Sequence, residues 1–203
     1  MVSVSEEFFD QPSGTREEIL AATYHALHEH GYADLTIKRI GEVFEKSPSL
    51  VYRHYEGKDE LVLACLGFML DGFEQRMTDT DLEDPRRELE AFLAWTFEAE
   101  ADDDGRRFLA TLVELRSQAS HDDAYREHFT RSDRVFERHL TSILEAGIER
   151  DVFRECDPAR VATAIVTTLS GVMFRASTHE EPNAWLEDVR TELEAYLEAR
   201  VFP

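Results

Sequence analysis

The stretch TIKRIGEVFEKSPSLVYRHYEGKDEL, residues 36–61, sets two short helices in front of a longer one. Thr36 is a capping residue, and Ile37, Ile40 and Val43 follow it at helical spacing. Pro48 suits the first turn of a second short helix that runs to Tyr55. Gly57 breaks the chain before Lys58-Asp59-Glu60-Leu61 opens the longer helix. Two short helices separated by a turn at Phe44–Ser47 have the proportions of a helix-turn-helix, whose second helix lies in the major groove of DNA. The residues facing base edges would be Lys46, Ser47, Pro48, Ser49 and Leu50.

Charge supports that reading. Every lysine of the chain, Lys38, Lys46 and Lys58, falls within residues 36–58, where five basic side chains meet three acidic ones. The rest of the chain carries 17 basic and 40 acidic residues, and the whole has a net charge of −21. A basic island in so acidic a protein suits phosphate. Thr36 offers a hydroxyl beside free amides at a helix start, Tyr52 and His54 offer donors, and Lys58 stands at the next helix start.

The joined pattern resembles the DNA-binding head of the TetR/AcrR family of one-component repressors. It is carried by the Thr-capped second helix, the short helix ending Tyr52-Arg53-His54-Tyr55, and Lys58-x-x-Leu61. The resemblance covers residues 15–65 by motif and the remainder by length and helical pattern. It implies phosphate contacts from Thr36, Tyr52, His54 and Lys58, and base-edge contacts around Pro48 and Ser49, with Arg53 beside them. Lys46 and Ser47, at the start of the recognition helix, and Lys38, in the basic window, join this DNA-binding set. Leu35, Ile40, Val51 and Tyr55 would pack the head. The sequence departs from the family at the turn, where Glu45-Lys46 replaces the usual Gly-Val. A non-glycine residue in a left-handed turn costs on the order of 1 kcal/mol. The resemblance further implies a homodimer on double-stranded operator DNA, with an unknown small-molecule inducer in the body. Repression follows from it more readily than activation.

Around this segment the chain reads as all-α, with about nine helices and no strand-like alternation. Residues 1–14 look like a flexible arm, 15–56 a helix-turn-helix domain, and 57–203 a helical regulatory and dimerisation domain. Helical patterns run over roughly 85–101, 106–119, 122–150, 158–178 and 182–201, separated by Asp, Pro and Gly signals. In the last two helices Val161, Ile165, Leu169, Val172, Met173, Trp185, Val189, Leu193 and Tyr196 recur at helical spacing and predict the dimer seam. Phe92, Trp95, Phe108, Leu112, Phe129 and Phe136 are candidates for a pocket between helices.

Other functions find little support. HExxH, GxSxG, P-loop and GxGxxG motifs are absent, so no catalytic, metal or cofactor residues are assigned. His25, His28 and His30 lack a further ligand at fitting spacing, and the acidic run Glu98–Asp104 reads as a solvated helix end. A regulator without a small ligand, and a helical enzyme or scaffold, are the alternatives. The N-terminus lacks signal-peptide features and no apolar run is long enough to span a membrane, which predicts a cytoplasmic protein. Cys65 and Cys156, far apart, read as buried thiols. Scarce lysine among 43 carboxylates is a composition suited to concentrated salt, a halophilic character.

Overall fold

Aspartate side chains cap the starts of three helices. Asp84 Oδ1 accepts from the Arg87 amide (3.1 Å), Asp122 Oδ1 from the Ala124 amide (2.8 Å), and Asp157 Oδ1 from the Arg160 amide (3.2 Å). Each supplies an acceptor to amides that the first helical turn leaves unpaired. At two of these starts a proline follows, where a missing N–H costs nothing.

The computed structural model describes residues 8–9, 11–44, 48–79, 82–99, 103–179 and 183–203. Glu45, Lys46 and Ser47 lie outside these residues, so the unusual turn and two of the DNA-binding candidates receive no structural description. Among the described residues the structure is helical without strands. Helix α1 spans Thr15–Asp34 and α2 Ile37–Val43; a 3₁₀ turn, Pro48–Leu50, leads into α3, Val51–His54. The longer helices are α4 (Lys58–Asp79), α5 (Pro85–Ala99), α6 (Asp103–Gln118), α7 (Asp123–Glu149), α8 (Pro158–Ala176) and α9 (Asn183–Arg200). None of them is long and apolar enough to cross a membrane.

The chain divides into two compact units, cut differently from the expected 15–56 and 57–203. The first comprises residues 1–76 and 114–129, the second 77–113 and 130–203. The first unit gathers most of α4 with the head because Leu61, Val62, Cys65 and Leu66 are as buried as Ile19 and Leu20 of α1. The Cys65 S–H donates to the Leu20 carbonyl across 3.6 Å, and burial pushes its pKa up to about 12. Cys156, expected to be buried too, is only partly covered. Phe8 and Phe9, in the segment expected to be a flexible arm, are seated in this unit. The Phe9 ring lies 5.2 Å from Tyr24 and 5.6 Å from Phe68, while Phe8 meets Phe73 at 4.7 Å. Gly72 leaves room for Phe8, whose Cε1 stands 2.6 Å from where a Cβ would be.

The second unit is built on one apolar cluster: Leu89, Leu93 and Phe97 of α5, Leu140, Ile143 and Leu144 of α7, the inner faces of α8 and α9, and Val201 and Phe202. This cluster takes in most of the residues predicted for the dimer seam. Val161, Ile165, Leu169, Val172 and Leu193 belong to the core of their own unit, and Trp185 and Val189 pack partly buried against it. Met173 is half-buried, and of the nine only Tyr196 counts as exposed, at 37%. The apolar stripe read from the sequence is the stronger of two faces on α8, and hydrophobicity drives that one inward. The outer face carries Ala164, Thr167, Gly171 and Phe174, smaller or more polar until the 60% exposed phenylalanine.

The α7–α8 connection and the chain's last residues close this core together. The Gly147 carbonyl accepts from the amides of Val152 (2.9 Å) and Phe153 (3.0 Å), and the Arg154 amide donates to the Val201 carbonyl (2.7 Å). The Phe153 and Phe202 rings meet at 5.6 Å. A Cβ on Gly147 would stand 1.9 Å from the Phe153 ring, whereas one on Gly171 meets nothing within 4 Å. We therefore expect Gly147→Ala to cost about 1–3 kcal/mol by overpacking. Gly171→Ala should be neutral or stabilise by about 0.5–1 kcal/mol through helix propensity. Thermal melts of the two variants check the contrast.

Candidate nucleic-acid interface

Thr36 stands at the start of the candidate interface. Its backbone is extended (φ −138°, ψ 153°) and its hydroxyl oxygen accepts from the Arg39 amide at 3.2 Å, so it caps α2 while its own O–H remains a donor. Leu35 at 2% exposure, Ile40 at 0% and Phe44 at 5% turn inward. The 3₁₀ turn and α3 then place Val51 (0%) and Tyr55 (7%) one helical turn apart on the buried side. What remains outside is polar: Ser49, Tyr52, Arg53 and His54 are exposed, Tyr52 at 64% despite its large ring. An aromatic residue left in water beside donors is poorly explained by packing and well explained by a partner that takes hydrogen bonds. Only the backbone of Pro48 is described, at the first position of the 3₁₀ turn.

The cations differ in how firmly they are held. Lys38 is 87% exposed and lies 3.6 Å from Glu42 one turn on, a surface pair of little energetic consequence. Arg39 is held locally: its guanidinium donates to the Asp34 carbonyl and lies 3.8 Å from the Asp34 carboxylate. Lys58 is half-buried. Its Nζ donates to the Tyr32 carbonyl at 3.2 Å and sits 4.0 Å above the Tyr32 ring. The ammonium thus fastens the end of α1 to the start of α4, with donors left over for a phosphate.

Beyond Gly31, the end of α1 is held by groups that the sequence reading did not single out. Gly31 leaves helical geometry at φ 70°, ψ 169°, a conformation that favours glycine. The Glu114 carboxylate of α6 then takes both following amides, Tyr32 N–H on Oε2 and Ala33 N–H on Oε1, each at 3.0 Å. The Tyr32 hydroxyl donates to Asp59 Oδ1 at 2.5 Å, and the Tyr125 hydroxyl reaches the same oxygen at 3.5 Å. Burial, then the bond to Asp59, raises the Tyr32 pKa; burial, then the neighbouring Tyr32, raises that of Tyr125. Glu114 stands 82 residues from Tyr32, and no motif or periodicity marks it.

The pocket candidates separate. In the second unit Phe92 meets Phe136 edge-on at 6.0 Å, and His139, absent from the sequence reading, lies 6.0 Å from Phe92. Burial lowers the His139 pKa, which favours the neutral imidazole. Trp95, Phe108 and Leu112 are half-buried in that unit. Phe129 falls in the first unit, buried at 8% beside His128 (5.1 Å) and the Arg116 guanidinium (5.3 Å).

Two family profiles match this chain. Residues 19–65 match "Bacterial regulatory proteins, tetR family", and residues 85–201 match "BetI-type transcriptional repressor, C-terminal". A TetR transcription regulator from Haloarcula marismortui is 33% identical, with a TM-score of 0.78 over 92% of this chain and 97% of that one. The HTH-type transcriptional regulator BetI of Brucella anthropi is 26% identical over 83% of this chain and 85% of its own length. A transcriptional regulator from Saccharomonospora viridis, solved in complex with choline, shares the fold at 18% identity, with a TM-score of 0.73 over 93% of this chain and 97% of that one.

The contacts predict two classes of variant. Tyr52→Phe removes one donor from an exposed ring and should weaken DNA binding about equally on every sequence, with no change in melting temperature. Lys58→Ala should weaken binding in the same way and also lower the melting temperature, because its ammonium ties Tyr32. Ser49→Ala should instead change the preferred base at one position of each half-site, a contact worth about 1–3 kcal/mol. Selection from randomised operators, run alongside thermal melts, separates these outcomes. An unchanged base preference without Ser49 would remove that serine from the reading face.

Proposed function

The chain belongs to the TetR family of DNA-binding transcription regulators, and from that premise we propose that it is a repressor released from its operator by a small cationic molecule. The supporting observation for the DNA side is the set of exposed donors, Thr36, Lys38, Ser49, Tyr52, Arg53 and His54, mounted on short helices whose inward residues are fully buried. Lys46, Ser47, Pro48 and Lys58 complete the proposed interface.

For the ligand, the Phe92–Phe136–His139 group is the favoured place, with Trp95, Phe108 and Leu112 as companions. Aromatic faces attract cations. A neutral His139 adds no repulsion, and the net charge of −21 draws cations toward the protein. Choline, bound by the Saccharomonospora viridis protein, is the first probe. Wild-type protein mixed with DNA fragments that it selects from a genomic library should release them as choline is added. Phe136→Ala should bind the same DNA and require about tenfold more choline, the loss expected for one ring in a cation site. DNA release that is indifferent to choline and to its quaternary ammonium analogues would overturn the ligand class. Failure of the wild-type protein to retain any fragment would overturn the operator reading itself.

TetR-family regulators act as dimers. For this chain we place the seam on the outer faces of α8 and α9, where Ala164, Thr168, Asp188, Val189, Glu192, Leu193 and Tyr196 line an open groove of about 370 Å³. Small residues let helices approach closely, and exposed Phe174 and Tyr196 supply apolar area to cover. Ala164→Arg with Tyr196→Glu should yield a folded monomer in sedimentation. Leu169→Glu should unfold the second unit, since Leu169 is 5% exposed inside its core. A dimer that survives the double substitution would move the seam elsewhere.

The acidic surface we read as an adaptation to concentrated salt. At low salt its repulsion from DNA is unscreened; at 1 M the Debye length shrinks to about 3 Å. Operator affinity should stay flat or rise from about 0.1 to 1 M KCl, against the steep fall usual for DNA binders. A steep negative slope in that titration would end this reading.

A further inference from the structure

The path of the chain from α1 into α2 determines where Thr36 and the recognition segment point. That path is short: Gly31, Tyr32, Ala33, Asp34 and Leu35. Gly31 breaks the helical geometry at a positive φ, and two amides follow it in the last turn of α1. One carboxylate takes both. Tyr32 N–H and Ala33 N–H each reach a different oxygen of Glu114 at 3.0 Å, and Glu114 Oε2 lies 3.6 Å from where a Gly31 Cβ would stand. The Tyr32 carbonyl accepts from the Leu35 amide at 3.3 Å and from Lys58 at 3.2 Å. Leu35, 2% exposed, then delivers the chain to Thr36.

We propose that Glu114 is a positioning residue for DNA binding: its carboxylate clamps the Gly31–Ala33 turn and thereby fixes the direction in which α2 and the recognition segment leave α1. The argument is one of donor accounting. A charge-assisted bond to a backbone amide is stronger than a neutral one, and here two of them converge on a single rigid acceptor. Without the carboxylate, the turn keeps the Tyr32 carbonyl and hydroxyl contacts and the Arg39–Asp34 pair, none of which takes the two amides. The peptide planes of Tyr32 and Ala33 are then free to rotate, and the head samples orientations that do not fit the groove. Apparent affinity falls by the fraction of time spent outside the fitting one. Glu114 acts through backbone amides alone, and Asp59, through the Tyr32 hydroxyl, steadies the same turn from a second side.

The inference rests on the head binding DNA, and the test keeps the two apart. Wild-type protein, Glu114→Gln and Glu114→Ala, all as full chains, are titrated against DNA fragments that the wild-type protein recovers from a random-sequence pool. Thermal melts and residue-resolved amide exchange are recorded on the same samples. Glu114→Ala should bind about tenfold or more weakly, well below its melting temperature, with faster exchange confined to Tyr32, Ala33 and their neighbours. Glu114→Gln keeps one oxygen acceptor and should fall between. Combined with Gly31→Ala, which strains the same turn, the loss should be less than the product of the two separate losses. Equal affinity for all three proteins overturns the inference, as does a loss that follows a general drop in melting temperature with exchange rising throughout. A wild-type protein that recovers no fragment overturns the DNA-binding premise instead.

Discussion

A helix of seven residues cannot hold itself together in water, because nucleation costs more than so few hydrogen bonds return. The recognition unit consists of such pieces: α2 with seven residues, a three-residue 3₁₀ turn and four residues of α3. Their existence depends on burying Leu35, Ile40, Phe44, Val51 and Tyr55, and on the Thr36 cap. Every inward position is therefore committed to burial. The outward ones, Ser49, Tyr52, Arg53 and His54, are left exposed. The division of labour between faces follows from the shortness of the helices.

Helix α8 obeys a related constraint with a different outcome. Val161, Ile165, Leu169 and Val172 form the stripe that its sequence advertises, and the protomer's own core consumes all of it. Periodicity identifies which face is most apolar; it does not identify what covers that face. The opposite face of α8, with Ala164, Thr167 and Gly171, is too weakly apolar to stand out in the sequence. The stripe was legible as an apolar face, and its use in the core of its own unit was not.

Local signals proved reliable elsewhere. Asp84-Pro85 and Asp157-Pro158 mark helix starts within the residues where α5 and α8 begin. Gly31 marks the end of regular α1 geometry, and Thr36 is the cap it was expected to be. The head motif made the function legible, since its chemistry is contiguous in sequence. What was not legible is long-range and polar or aromatic: Glu114 on Tyr32 and Ala33, Asp59 between two tyrosines, Phe8 and Phe9 seated on the first unit, and Phe202 against Phe153. Such pairings are set by how helices come together, and a single sequence carries no spacing rule for them.

The confinement of lysine to residues 36–58 has a chemical consequence beyond electrostatics. Side-chain primary amines are where acylating reagents and acetyl-transfer enzymes act, and this protein presents them only around its DNA-reading head. Lys58 is drawn into Tyr32, whereas Lys38 stands 87% exposed. Amine-reactive dyes, crosslinkers and coupling surfaces will therefore mark or mask the recognition end and leave the lysine-free body of the molecule unlabelled. Arrested on such a surface, the protein would be tethered by the part that must stay free to meet DNA.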